Sequence, residues 1–170
     1  NRSLTVATPA GDRALDGVDL AHLVPHYRAP AWIRGSGLAD DGDAGLLDVD
    51  PETLRHRRHP RIWGLGDVAA LGTRPSGGAL RKQVAVLAHN LAHADSIDEG
   101  GTEPQRYDGY TVMPITTDRR RLMLVEVDRD GRPAPSVPFP DLTVPRRVTW
   151  LVDRYALPVT YVRRILRGKV

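Results

Sequence analysis

The sequence predicts an α/β protein that carries a β-hairpin and amphipathic helices towards its carboxyl-terminal end. Residues 61–65 form a short apolar run that ends on glycine, which is typical of a buried strand. A helical pattern begins after Ser76, a residue type that favours the N-cap position. Residues 4–8 and 18–24 are also expected to be strands. From residue 110 the pattern changes to strand-like alternation, which predicts two paired strands and a third strand reaching Phe139. Helical spacing returns after Pro145, which suits a first helical turn.

Gly66 and Asp67 follow the predicted strand at the place where an open α/β sheet binds its ligand. Gly66 has no Cβ, so a ligand can approach the backbone closely. The carboxylate of Asp67 can accept hydrogen bonds from the hydroxyls of a sugar or sugar alcohol. An ordinary strand-loop-helix unit with a structural aspartate stays open as the alternative, because short glycine motifs have many false positives.

The helix after Ser76 is predicted to present an N-terminus that favours negative charge. Gly77 and Gly78 leave the amides of the first turn uncovered, and the helix dipole acts in the same direction. One buried face is predicted from apolar residues at helical spacing, namely Leu80, Val84, Leu87 and Leu91.

Charge and composition restrict the function classes. The sequence has no cysteine, so a disulfide, a thiolate metal site and a thiol nucleophile are excluded within it. His89 and His93 have metal-ligand spacing, but Asn90 stands where the metalloprotease pattern needs glutamate, so we expect a solvated or interdomain face and no metal.

The carboxyl-terminal end is basic although the net charge is only +3. Cationic residues beside apolar helical stripes favour an interfacial membrane helix, with helices that simply pack on the domain as the alternative. Nucleic acid is not expected, because aromatic residues do not interleave with the basic ones. The basic residues are Arg146, Arg147, Arg154, Arg163, Arg164, Arg167 and Lys169.

The run Gly64-Leu65-Gly66-Asp67-Val68, followed by Arg81-Lys82-Gln83 on a helix, resembles the second flavin-binding motif of two-dinucleotide-domain flavoproteins. Residues 19–25, 49–54 and 107–111 are similar to segments of the sulfide:quinone oxidoreductase family, in the same order. The Tyr-Asp-Gly-Tyr-Thr segment at 107–111 is the most particular of them.

The resemblance implies a partial FAD/NAD(P)-binding fold. Residues 1–24 would end the pyridine-nucleotide-binding domain, residues 25–95 would be the second segment of the FAD-binding domain, and residues 105–170 would form the quinone and membrane side. Because only the carboxyl-terminal part of such a flavoprotein is matched, we expect the chain to be a fragment that retains FAD poorly and is inactive alone.

The resemblance also assigns cofactor contacts. Gly66 and Asp67 would hold the ribityl chain of FAD, and the amides near Gly78 and Ala79 would face the pyrimidine end and favour the reduced anion. Lys82 would add positive charge there, with a solvated helix lysine as the alternative. Pro25 would lie in a crossover loop near the flavin; without the resemblance, an ordinary loop proline is the better explanation.

A quinone is the implied electron acceptor, with an apolar pocket expected from Tyr110, Pro114 and Phe139 unless these residues are simply core. The family oxidises sulfide with a cysteine pair, and one of those cysteines belongs just before Pro114. This chain has Met113 there, and a thioether cannot be a thiolate nucleophile.

The resemblance thus implies an FAD-dependent oxidoreductase that passes electrons to a quinone, and Met113 argues against sulfide as its donor. Two alternatives stay open: a type II NADH:quinone reductase, and a non-enzymatic basic module that binds membranes. We expect a cytoplasmic location, with peripheral attachment to the inner face of the cell membrane as the implied site of action.

Overall fold

The computed structural model describes residues 2–168 and combines helices with strands. The two sheets are antiparallel hairpins, which pair β1 with β2 and β3 with β4. The α/β class is confirmed to the extent of this mixed content. The elements are β1 (Leu4–Thr8), β2 (Gly11–Leu15), α1 (Ala31–Gly35), α2 (Gly77–Ala92), α3 (Ala94–Asp98), β3 (Thr111–Asp118), β4 (Arg121–Val127), α4 (Arg147–Leu151) and α5 (Leu157–Arg163).

Two predicted strands are wrong. Residues 18–24 are not a strand; β1 pairs with β2 across the turn before Gly11, which adopts a positive φ of 109°. Residues 61–65 are not a strand either; this segment makes a single bridge, from Trp63 to Arg55. A buried strand needs neighbours on both edges to pair its backbone, and the described residues supply only this bridge.

The hydrophobic core lies between α2 and the loops of residues 29–71. Leu47 connects these loops, because it bridges Ala39 in antiparallel and Ala69 in parallel fashion. Gly64 packs so closely against Leu47 that a Cβ at Gly64 would lie 2.3 Å from Leu47 Cδ2. The buried apolar residues of this core are Ile33, Leu47, Val49, Leu54, Ala69, Leu71, Ala79, Val86 and Tyr107.

Helix α2 begins as predicted, with the Ser76 hydroxyl accepting a hydrogen bond from the Ala79 amide at 3.1 Å. The predicted buried face is wrong, since Leu80, Val84 and Leu91 are exposed and Leu87 is only partly buried. The buried residues are instead Ala79, Gln83, Val86 and Asn90. Gln83 and Asn90 are buried because backbone groups of neighbouring loops hydrogen-bond to their side chains.

The carboxyl-terminal hairpin and helices confirm much of the prediction. Strands β3 and β4 pair from Thr111 with Val127 to Asp118 with Arg121. A third strand reaching Phe139 is not formed, because Val127 makes only an isolated bridge to Pro133 in this proline-rich segment. A π-helical turn, Val152–Ala156, joins α4 to α5.

No helix within residues 2–168 has both the length and the apolar composition needed to cross a bilayer. Lys169, which contributes to the basic end, lies outside the described residues.

Candidate functional site

The turn at Gly66 and the tip of α2 face one cavity of about 140 Å³. Gly66 begins a 3₁₀ turn, Gly66–Val68, and has a positive φ of 72°. Ser76 and Gln83 line the cavity from the helix side, and Tyr27 contributes from the loop that follows Pro25. The glycine turn and the helix N-terminus, which are separate motifs in the sequence, therefore share a single site.

Gln83 connects these two parts directly. Its Oε1 accepts a hydrogen bond of 2.8 Å from the Gly66 amide, and its side chain is buried. Because a backbone N–H can only donate, this bond fixes the position of the turn relative to α2.

In the first turn of α2, some backbone amides donate hydrogen bonds to the protein and others do not. Ala79 donates to Ser76 Oγ, and the Leu80 amide donates to the Ser76 carbonyl. The amides of Gly77 and Gly78 make no hydrogen bond to the described residues. The expectation of open amides is therefore met at Gly77 and Gly78 and corrected at Ala79, where the N-cap serine takes the donor.

Gly78 also has a packing role that the sequence did not indicate. A Cβ at Gly78 would lie 2.4 Å from Cγ1 of Val112 at the start of β3. Ser76 Oγ accepts a second bond, of 3.3 Å, from the Val112 amide. The tip of α2 is thus held against the carboxyl-terminal hairpin.

Asp67 and Pro25 lie on the surface of this region. The Asp67 side chain is exposed and makes no hydrogen bond or ion pair with the described residues. It does not line the cavity, although the adjacent Gly66 does. Pro25 is exposed in a loop without regular structure.

Lys82 forms an ion pair with Asp108 and a cation–π contact with Tyr110. Its Nζ lies 2.7 Å from Asp108 Oδ2 and 4.1 Å from the centre of the Tyr110 ring. Burial acts against the charged form of Asp108, but hydrogen bonds from Lys82 and the Tyr110 amide outweigh it and hold the pKa of this carboxyl below its usual value. Asp108 therefore offsets much of the positive charge expected from Lys82.

Tyr110 is buried, and its hydroxyl donates to the Glu126 carboxylate across the hairpin. Burial, together with Glu126, raises the pKa of Tyr110 to about 12. Burial alone would raise the pKa of Glu126, but hydrogen bonds from Ser136 and Tyr110 prevail and lower it. The pair is thus an ionised glutamate and a neutral tyrosine at neutral pH.

The three expected quinone residues differ in their exposure to solvent. Tyr110 is buried, Pro114 is exposed on β3, and Phe139 is 86% exposed. None of them lines the cavity beside Gly66 or the open groove on α4 and α5. Met113 is half-buried on β3 and pairs with Val125.

Sequence reasoning predicted no structural role for three polar residues that organise this region: Gln83, Asn90 and Arg129. Arg129 donates to the carbonyls of Leu71, Pro51 and Tyr107, at 2.8, 3.1 and 3.1 Å. A helical signal for the other two was present, because Ala79, Gln83, Val86 and Asn90 also recur at helical spacing.

The chain is similar to three curated proteins named mitochondrial sulfide:quinone oxidoreductase. The protein of Mus musculus is 32% identical over 88% of this chain, that of Dictyostelium discoideum 30% over 95%, and that of Schizosaccharomyces pombe 33% over 84%. The chain spans about a third of these relatives, covering 32%, 34% and 31% of their lengths.

A solved structure has a similar fold. A chain of the cryo-EM structure of the Tetrahymena thermophila mitochondrial ATP synthase F1Fo tetramer matches with a TM-score of 0.71 and 25% identity, over 94% of this chain and 38% of that one. No protein-family model matches the chain. The resemblance carried by the Gly-Asp and Tyr-Asp-Gly-Tyr-Thr motifs is nevertheless confirmed: over most of its length, the chain is a homologue of the sulfide:quinone oxidoreductases.

Proposed function

We propose that this chain is part of an FAD-dependent oxidoreductase that passes electrons to a quinone. The observation that supports this most is the joint site formed by the Gly66 turn and the α2 tip. These two motifs are tied by Gln83, line one cavity and occur in a homologue of sulfide:quinone oxidoreductases.

The chemistry of the site fits one end of a flavin. The exposed carboxylate of Asp67 is available to ribityl hydroxyls, and the free amides of Gly77 and Gly78 are available to the oxygen and nitrogen atoms of the pyrimidine end. Gly66 leaves room for close approach, and the loop of Pro25 would border the ring. Ala79 and Lys82 would support the helix tip, with the charge of Lys82 moderated by Asp108. When bound, FAD supplies the two-electron redox chemistry.

We propose that the fold is part of a two-dinucleotide-binding architecture. Residues 1–24 would close the pyridine-nucleotide domain, residues 25–95 would complete the FAD domain, and residues 105–170 would form the quinone side. The exposed apolar residues of α2 support this, because they offer a surface for the remainder of a longer fold to cover. On this basis we expect the 170 residues alone to retain little FAD.

Pro114 and Phe139 are proposed as exposed apolar contacts for the quinone, with buried Tyr110 supporting the hairpin beneath them. Met113 makes sulfide an unexpected donor, because no thiolate stands at that position. NADH is therefore the alternative donor, as in type II NADH:quinone reductases. A non-enzymatic basic module remains the competing function.

The full-length protein should purify yellow with about one FAD per chain. Under anaerobic conditions we expect sulfide to leave the flavin oxidised, whereas bleaching by NADH would favour the type II alternative. Added quinone should restore the colour of the reduced flavin. Bleaching by sulfide would refute the inference from Met113. A colourless protein that gains no flavin absorbance on incubation with FAD would refute the oxidoreductase proposal and favour the binding module.

We further propose peripheral membrane attachment through the α4–α5 segment, at the inner face of the cell membrane. Val148, Leu151, Val152, Tyr155 and Val159 line an open apolar groove there and are about half exposed. The arginines of the same segment provide charge complementary to anionic headgroups.

Cosedimentation with anionic vesicles tests this attachment. Leu151→Glu should lower the bound fraction at least about fivefold, because it places a carboxylate within the apolar groove. Val137→Glu, at an exposed apolar residue outside the groove, is the matched control and should leave vesicle binding unchanged. Equal binding by wild type and Leu151→Glu would contradict the proposal.

A further inference from the structure

In the carboxamide of Gln83, the oxygen makes a hydrogen bond and the nitrogen makes none to the described residues. Gln83 is 3% exposed, and its Oε1 accepts from the Gly66 amide at 2.8 Å. That bond fixes the orientation of the carboxamide, since only the oxygen can accept from an N–H. Nε2 consequently carries the two donors, and it makes no hydrogen bond with any residue in the range 2–168.

The free amide group is open to the cavity. Among the described residues, no buried side-chain nitrogen or oxygen is both sealed from the surface and unpaired, so Nε2 keeps access to open space. Gln83 is a lining residue of the 140 Å³ cavity between the Gly66 turn and the α2 tip. This space is large enough to hold water or part of a ligand.

The second polar side chain beside the cavity, Ser76, already has hydrogen-bond partners within the protein. Ser76 Oγ accepts from the amides of Ala79 and Val112 and lies 3.0 Å from the Thr111 hydroxyl. Nε2 of Gln83 therefore offers donors without a protein partner at the point where both motifs converge.

We propose that Gln83 is a cofactor-binding residue whose Nε2 donates a hydrogen bond to an oxygen of the flavin half of FAD, in the cavity between the Gly66 turn and the α2 tip. This rests on the proposed function and adds a contact to it. A single carboxamide thereby holds the glycine turn in place and binds the cofactor that the turn faces.

Two substitutions in the full-length protein separate the roles of Gln83. Gln83→Glu keeps an acceptor for the Gly66 amide but removes the donor, whereas Gln83→Met removes both. We expect Gln83→Glu to raise the Kd for FAD at least about tenfold, in line with the loss of a buried hydrogen bond. A Kd within twofold of wild type for Gln83→Glu, together with a weakened Gln83→Met, would assign Gln83 a purely structural role and overturn the proposal.

A measurement on the wild-type protein avoids dependence on variant folding. The ¹⁵N resonance of the Gln83 side-chain amide, assigned by its loss in Gln83→Met, should shift on addition of FAD or riboflavin and not on addition of ADP. The Asn90 side-chain amide, which is fully paired, is the internal control and should not shift.

The outcomes distinguish this proposal from the function on which it rests. Saturable FAD binding without a shift of the Gln83 resonance would overturn the contact and leave the flavoprotein function standing. Failure of the full-length wild-type protein to bind FAD at all would overturn both.

Discussion

Replacing Gly109 with alanine is expected to destabilise the protein by about 3 kcal/mol or more. Gly109 has a φ of +79°, which costs an L-residue roughly 1–2 kcal/mol. A Cβ at Gly109 would also lie 2.5 Å from Cβ and 3.0 Å from Cα of Arg129. Because these atoms belong to or adjoin the backbone, they cannot move aside as the end of a flexible side chain can.

The clash would also disturb the contacts of Arg129. Its guanidinium donates to three carbonyls that lie far apart in the sequence, on Pro51, Leu71 and Tyr107. Shifting the Arg129 backbone would weaken these bonds together, and buried carbonyls would lose their donors. The substitution therefore affects how the carboxyl-terminal hairpin is joined to the core that carries the Gly66 turn.

Gly131→Ala is the matched control for Gly109→Ala. Gly131 has nearly the same φ, +78°, but a Cβ there would meet no atom within 4 Å. We expect a loss of only about 1–2 kcal/mol from backbone strain. Urea unfolding of the two variants and wild type measures the difference. Equal losses in the two variants would show that the contact with Arg129 contributes nothing.

Local rules predicted the parts of the fold whose partners are near in sequence. The alternation in β3 and β4, the Ser76 cap of α2 and the strand β1 each depend on residues a few positions apart. The strand expected at residues 61–65 depends on neighbours that this chain does not bring alongside it. Its apolar residues pack instead in a loop, with Gly64 against Leu47.

The candidate site was predictable in its location but not in its internal contacts. The Gly66 turn and the α2 tip are visible as motifs, and glycine content indicates where a ligand can approach. The roles of Gln83 and Lys82 depend on partners 17 and 26 residues away, Gly66 and Asp108. Apolar spacing in α2 gave the wrong face, because the buried face contains polar side chains that satisfy loop backbone groups.

Asn90→Ala is expected to destabilise the protein by about 3 kcal/mol. Asn90 is fully buried, with Nδ2 donating to the carbonyls of Thr53 and Gln105 at 3.1 and 2.9 Å. Its Oδ1 accepts from the Gln105 amide at 2.7 Å. Alanine would leave three backbone groups without partners beside α2, so the cost reflects their desolvation as well as the lost bonds.

Gln105→Ala is the control for Asn90→Ala, because it removes a side chain next to the hydrogen bonds of Asn90 without removing those bonds. Gln105 bonds to Asn90 through its backbone alone, and its own side chain is exposed, so this variant should stay within about 0.5 kcal/mol of wild type. Urea unfolding compares the two, and amide hydrogen exchange at Gln105 should accelerate in Asn90→Ala only. If Asn90→Ala is as stable as Gln105→Ala, water replaces the three hydrogen bonds. Asn90 then does not hold the segment before the Tyr-Asp-Gly-Tyr-Thr motif against α2.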